Sequence, residues 1–229
     1  MLARPSPSTR LRVAVVDDHP AIREAISDTV SDQADMELCG AAGSATEAFE
    51  LVRKERPNVI VVDISLGDAH GLDLVQNLRA QYPDLEVVVF SMYDEEVYAE
   101  RAIRAGARGY VMKSESTASV AEAIRSAAQG EIYMSRKAAS RLLGRVAGGR
   151  AAVATRASDS GLEELTDREM AVFQMLGQGQ AIDTIAEQLS LSRKTVETYR
   201  RRAKEKLGYD SVGELLQFAI RWTYAQGGQ

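Results

Sequence analysis

Three aspartates, a serine and a lysine in this 229-residue chain stand at the ends of short apolar runs. Val13–Val16 leads into Asp17 and Asp18, and Val87–Phe90 leads into Ser91. Tyr110–Met112 leads into Lys113. Between them, residues 58–67 read NVIVVDISLG, four β-branched residues running straight into Asp63. A buried unpaired charge is costly, so a strand of this kind ends on a carboxylate only where a cation sits beside it. Two like charges about 4 Å apart at an effective dielectric near 20 repel by about 4 kcal/mol, and three carboxylates in one cleft multiply that cost. A hard divalent cation relieves it, and oxygen-only ligation with room for water suits Mg2+. An acid pair, a lone aspartate, a hydroxyl and an ammonium together make a phosphoryl-transfer constellation. Asp63 is its nucleophile, the metal neutralises phosphoryl oxygens, and Lys113 and Ser91 bind the remainder.

These residues meet only if the strands lie side by side in one direction. Apolar runs at Val13–Val16, Met36–Cys39, Val59–Val62, Val87–Phe90 and Tyr110–Met112 alternate with helical patterns near 20–32, 44–56, 71–80, 94–105 and 116–129. Ala45, Ala48, Phe49 and Val52 illustrate the helical spacing. Five strands alternating with five helices predict a parallel sheet covered on both faces, with right-handed crossovers. Ligands of such sheets bind at the carboxyl ends of the strands, near the switch in strand order. The expected bounds are a disordered tail at 1–10, an α/β domain at 11–134, a linker with a short helix at 135–161 and a helical domain at 162–226.

Composition bounds the function classes. No apolar run reaches the roughly 18 residues of a membrane helix. MLARPSPSTR lacks the apolar centre of a secretory signal. The single cysteine, Cys39, excludes a disulfide framework and a cysteine zinc site, and reads as a buried inert thiol. These features suggest a cytoplasmic protein with no membrane partner. His19 and His70 read as solvated or capping residues rather than catalysts.

The net charge of -5 conceals an asymmetry. Residues 1–134 carry 13 Lys/Arg against 22 Asp/Glu, whereas residues 135–161 carry six basic residues and only Asp159. Residues 193–206 hold seven basic and two acidic side chains. A charge run is usually a solvated helix face, but its setting here argues for more. Thr166 with Glu169 and Ser211 with Glu214 have capping-box spacing, and Ser192 can cap a helix starting at Arg193. Ile182, Ile185, Ala186 and Leu189 give one helix a core stripe, and Val196, Ala203 and Leu207 with Tyr199 give one to the basic helix. The stretch therefore predicts helix, tight turn, helix, within a four-helix all-α domain. Lys194, Arg200, Arg202 and Lys204 suit phosphates, while Glu197, Thr198 and Arg201 suit base edges, with Thr195 on the same outward face.

In order and spacing, VVDDHP, VVDIS with Gly71, FS and GYVMK resemble a two-component receiver domain. The resemblance implies a flavodoxin-like sheet of order 2-1-3-4-5. It also implies that Asp63 accepts phosphate from a sensor histidine kinase, with Asp17, Asp18, Asp63 and the Ser65 carbonyl holding Mg2+. Ser91 and Tyr110 become a switch pair and Lys113 a phosphoryl contact. Phosphorylation is then expected to pull Ser91 and Tyr110 inward and repack the fourth and fifth helices and last strand. The DNA-binding domain would be freed or dimerised. Gly67 stands where the family often has proline, and Ser114 where proline or aspartate is frequent.

LTDREMAVFQMLGQGQ, IAEQL, LSRKTVETYRRRAKEKLG and SVGELLQFAI resemble the LuxR-type DNA-binding domain of NarL/FixJ response regulators. Glu197 stands where that family often has a basic residue. In the family the last helix pairs two domains, which makes Leu215, Leu216, Phe218, Ala219 and Trp222 the expected homodimer contacts, against core packing as the plain alternative. The expected protein is a phosphorylation-controlled, double-stranded-DNA-binding regulator, a phosphoacceptor with slow autodephosphorylation rather than a dedicated enzyme. A degenerate receiver that binds DNA without phosphate is the competing reading. A phosphatase of the haloacid dehalogenase kind would want an aspartate at Ser65.

Overall fold

The computed structural model describes residues 10–66, 71–147, 161–189 and 191–227. Gly67, His70, the N-terminal tail before Arg10 and most of the expected linker lie outside these ranges. The chain divides into two compact units, Met1–Val146 and Ala147–Gln229. No helix among the described residues is long and apolar enough to cross a membrane.

The first unit alternates strand and helix: β1 (Leu11–Val16), α1 (Pro20–Ser31), β2 (Met36–Ala42), α2 (Ala45–Glu55), β3 (Val59–Val62), α3 (Gly71–Gln81), β4 (Glu86–Ser91), α4 (Glu95–Arg104), β5 (Gly109–Met112) and α5 (Thr117–Ala128). The strands pair in parallel in the order β2-β1-β3-β4-β5, as the resemblance implied. Strand side chains alternate between faces. Val13, Val15, Val59, Val61, Val88, Phe90 and Val111 form one core with Ile26 and Val30 of α1 and Val120 and Ile124 of α5. The alternate residues, including Ala14, Val16, Ile60, Val62 and Val89, are equally buried. Every β3 residue is therefore apolar because neither face of the central strand meets water.

Beyond α5 the chain returns to the sheet. Gly109 bridges Tyr133 in parallel, and α6 (Arg136–Ala147) follows immediately. This is the helix expected within the linker, and it falls in the first unit.

The second unit opens with a 3-10 turn (Leu162–Glu164), then α7 (Asp167–Gly177), α8 (Ile182–Gln188), α9 (Arg193–Lys206) and α10 (Val212–Gly227). The capping box at α7 is complete, with Thr166 accepting from Glu169 N–H and Glu169 accepting from Thr166 N–H. Ser192 accepts from Thr195 N–H at the start of α9, and Ser211 accepts from Glu214 N–H before α10. Phe173 of α7 anchors the core, with ring centroids 5.5 Å from Phe218 and 5.7 Å from Trp222. Gly177 lets α7 and α10 close together, because a Cβ there would stand 2.5 Å from the Ala219 carbonyl oxygen.

Candidate functional site

Register assembles the cleft. Val16 lies opposite Val62, and Ser91 opposite Met112. The next residues are clamped by the same ladders: Asp63 N–H donates to the Val16 carbonyl at 2.8 Å and Lys113 N–H to the Ser91 carbonyl at 2.7 Å. Asp17, Asp63, Ser91 and Lys113 are thereby delivered to one edge. The cation that Asp63 required is Lys113. Its Nζ lies 2.5 Å from Asp17 Oδ2 and 2.7 Å from Asp63 Oδ2, and the three side chains expose only 5%, 2% and 1%.

Local bonds fix the rest. Asp63 Oδ1 accepts from Ser65 N–H at 2.8 Å, and Ser65 is itself buried. Arg23 Nη1 donates to the Asp17 carbonyl, and Asp17 Oδ1 accepts from His19 N–H. Gly71 opens α3 where a Cβ would collide with the Ile64 backbone at 2.2 Å, so only glycine lets α3 begin this close to the acceptor loop. Burial pushes the Asp63 carboxyl up from the usual aspartate range; Lys113 opposes the shift and Asp17 adds to it. Burial likewise holds the Tyr110 phenol well above its ordinary value.

Asp17, Asp18, His19 and Asp63 each offer a ligand atom within 4.8 Å of the others. Three hard carboxylates around one point fit Mg2+ by the chemistry of the donor set. His19 was expected to be solvated or capping. It occupies the N-cap of α1 without a side-chain cap bond, half exposed, with Nδ1 2.7 Å from Asp18 Oδ1. It therefore borders the acidic cluster.

Ser91 and Tyr110, the expected switch pair, expose 0% and 1%. Tyr110 Oη donates to the Tyr93 carbonyl at 2.9 Å, and Ser91 Oγ accepts from Tyr93 N–H at 3.1 Å. Both residues thus grip the peptide units flanking Tyr93, a partner that sequence alone could not single out.

On α9, Val196, Tyr199 and Ala203 are buried as expected. Lys194, Arg201 and Arg202 are exposed, and Thr195, Glu197, Thr198, Arg200 and Lys204 are partly so. Arg201 pairs with Glu205 at 3.0 Å, Thr198 Oγ1 donates to the Lys194 carbonyl, and Lys204 Nζ donates to the Asp210 carbonyl. Arg193, absent from the expected DNA contacts, donates through Nη1 to both carboxylate oxygens of Asp183 of α8 (2.9 and 2.8 Å) and also pairs with Glu197. It braces the turn between the two helices. At the other end, Lys206 Nζ reaches the buried Glu169 carboxylate at 2.7 Å and ties α9 to the capping box of α7.

Of the five expected dimer contacts, Leu215 and Ala219 expose 0%, and Phe218 and Trp222 pack around Phe173. Leu216 is partly buried, as Phe218 and Trp222 are. Ile220 and Tyr224 continue from it at four-residue spacing and expose 40% and 77%.

Comparison with known proteins agrees with both halves. Residues 13–125 match the response regulator receiver domain, and residues 163–219 match the bacterial regulatory proteins of the luxR family. The chain is 32% identical to the response regulator GacA of Pseudomonas viridiflava over 92% of this chain and 96% of that one. A two-component response regulator of the LuxR family from Aurantimonas sp. SI85-9A1 is 30% identical over 58% of this chain and 94% of that one, with a TM-score of 0.54. RcsB of Salmonella enterica serovar Typhimurium, solved on promoter rprA with phosphomimetic BeF3-, shares the fold (TM-score 0.56, 22% identity, 93% and 99% covered). The chain belongs to the DNA-binding two-component response regulators that join a receiver domain to a luxR-family helix-turn-helix.

Proposed function

We propose that Asp63 accepts a phosphoryl group from the phosphohistidine of a sensor histidine kinase, and that this controls DNA binding by the second unit. One observation carries the reading: Lys113 bridges Asp17 and Asp63 in a nearly dry cleft at the carboxyl ends of the strands. In the reaction an Asp63 carboxylate oxygen attacks phosphorus. An O–P bond forms as the P–N bond breaks, and imidazole leaves with that electron pair, its other nitrogen already protonated. Asp17, Asp18, Asp63 and the Ser65 carbonyl would hold Mg2+, which when bound supplies charge neutralisation on the phosphoryl oxygens. Lys113 opposes the rise that burial imposes on the Asp63 carboxyl and then binds a phosphoryl oxygen. Ser91 donates its hydroxyl to another as its side chain turns inward, carrying Oγ away from Tyr93 N–H.

The second unit reads double-stranded DNA with α9. Lys194, Thr195, Arg200, Arg202 and Lys204 neutralise or contact phosphates, and Glu197, Thr198 and Arg201 face base edges. Two copies pair through the Leu216, Ile220 and Tyr224 stripe of α10. The reading places the protein in the bacterial cytoplasm. Incubation of the full chain with acetyl phosphate and Mg2+ tests it. A phosphoryl adduct is expected on wild type and none on Asp63→Asn. Unlabelled protein with full DNA affinity would favour the degenerate receiver, and rapid turnover of many phosphate esters would favour a phosphatase.

A further inference from the structure

α6 starts without one of its usual partners. Ser135 is its N-cap, accepting from Ala138 N–H at 3.2 Å, with its carbonyl accepting from Ala139 N–H. In a capping box, a Glu three residues on would accept from the cap's own N–H. Here that position is Ala138. The missing acceptor comes from another helix: Glu95 Oε1 of α4 takes Ser135 N–H at 2.7 Å. Glu95 exposes only 7%, an unusual place for a carboxylate on a helix surface. It stands at the amino ends of both α4 and α6, where helix dipoles favour negative charge. Beside it Lys137 pairs with Glu96, and Ala138 is buried. Glu95, Glu96, Ala99, Glu100, Met134, Ala138 and Leu142 enclose the seam. Basic α6 thus lies on an acidic stretch of α4.

This anchor shares its backbone with the switch. Tyr93, whose N–H and carbonyl are held by Ser91 and Tyr110, is two residues from Glu95. Tyr110 is also tied to the segment entering α6, because its N–H donates to the Tyr133 carbonyl at 2.9 Å. A Ser91 side chain that swings toward phosphate carries its acceptor Oγ away from Tyr93 N–H. The start of α4, and with it Glu95, is then freed to shift.

We propose that α6 is a latch held on α4 by the Glu95 carboxylate capping Ser135, and that phosphorylation of Asp63 releases it through the 91–95 segment. The coupling rests on the phosphoacceptor reading above; the anchor does not. Release frees the connection to the DNA-binding unit from Ser135 onward.

Hydrogen exchange of the full chain, read by mass spectrometry over residues 138–146, tests the proposal. Phosphoramidate with Mg2+ serves as donor, and the Asp63 adduct is counted in the same sample. Labelled wild type should exchange about tenfold faster than unlabelled, the loss expected of one charged hydrogen bond. Glu95→Ala should exchange that fast without donor, gain nothing from it, and take label like wild type. Lys137→Glu should loosen α6, and adding Glu96→Lys should restore it. Labelled wild type with unchanged exchange overturns the coupling. Glu95→Ala with wild-type exchange overturns the anchor. Failure of Asp63 to take label would remove the phosphoacceptor reading and the coupling with it, while the Glu95→Ala comparison without donor still judges the anchor.

Discussion

At the cleft the charged atoms are nearly out of water: the Asp17, Asp63 and Lys113 side chains expose 2%, 1% and 5%. On α9, Arg193 and Arg201 expose 61% and 59%, and their partners Asp183 and Glu205 are open as well. The chemistry of the pairs is the same and the surroundings are opposite. In a low dielectric each charge is strongly coupled to its neighbours, so removing one disturbs all. Under solvent and salt, single pairs contribute little and the helix acts through its summed charge. A phosphorylation site needs the first condition, because one added group must move a structure. A DNA reader needs the second, because its side chains must exchange partners when the duplex arrives.

Lys113→Met should break this contrast most severely. It leaves Asp17 and Asp63 buried and repelling, at a cost of about 3–5 kcal/mol in urea unfolding, as for other broken buried pairs. Mg2+ should recover part of it, since a ligand bound only by the folded state stabilises by mass action. An unchanged midpoint would show that the cleft is wetter than it looks. In the second unit, large effects should come from packing instead. Gly177→Ala pushes a methyl against the Ala219 carbonyl and Thr223, and should destabilise by about 1–3 kcal/mol, seen in thermal melts.

Asp63→Asn should abolish the phosphoryl adduct and yet raise stability at neutral pH, as removal of a carboxylate held against desolvation and a like charge would. The sign follows from the raised Asp63 carboxyl. Its stabilising contribution is full below the ordinary aspartate range and is lost as pH rises through the raised value, so the variant's advantage should appear across that window. A variant less stable than wild type at every pH would contradict it. Smallest in folding terms is Arg202→Ala. It should leave the melt unchanged, weaken DNA binding across all sequences and lower the salt slope by about one, whereas Arg201→Ala should relax preference at one base pair.

Much of the cleft was legible because parallel strands leave few choices. Once four of five runs end in carboxylates, a hydroxyl and an ammonium, a single sheet brings those ends together. The caps of α7, α9 and α10 were legible because they are local, three residues apart. What escaped depends on which neighbour arrives. α10 carries apolar residues around much of its girth, so Leu215 and Ala219 could not be assigned to core or surface until α7 was placed against them. Glu95 and Ser135 are forty residues apart, and neither carries a signal of the bond between them. Arg193 could be matched to Glu197 by helical spacing, but Asp183 required the turn geometry. β2 runs past Cys39 to Ala42 because a register shift opposite Val13 and Ala14 lets the ladder continue through Gly40.

One acyl phosphate on Asp63 is expected to change what helix α9 of the second unit does. The direct measurement is the affinity of the full chain for duplexes selected from a random pool, before and after acetyl phosphate with Mg2+, beside Asp63→Asn. A tighter complex for the treated wild type alone, tracking the fraction of Asp63 phosphorylated, is the expected result. Equal affinity in all three samples despite a fully formed adduct would contradict it.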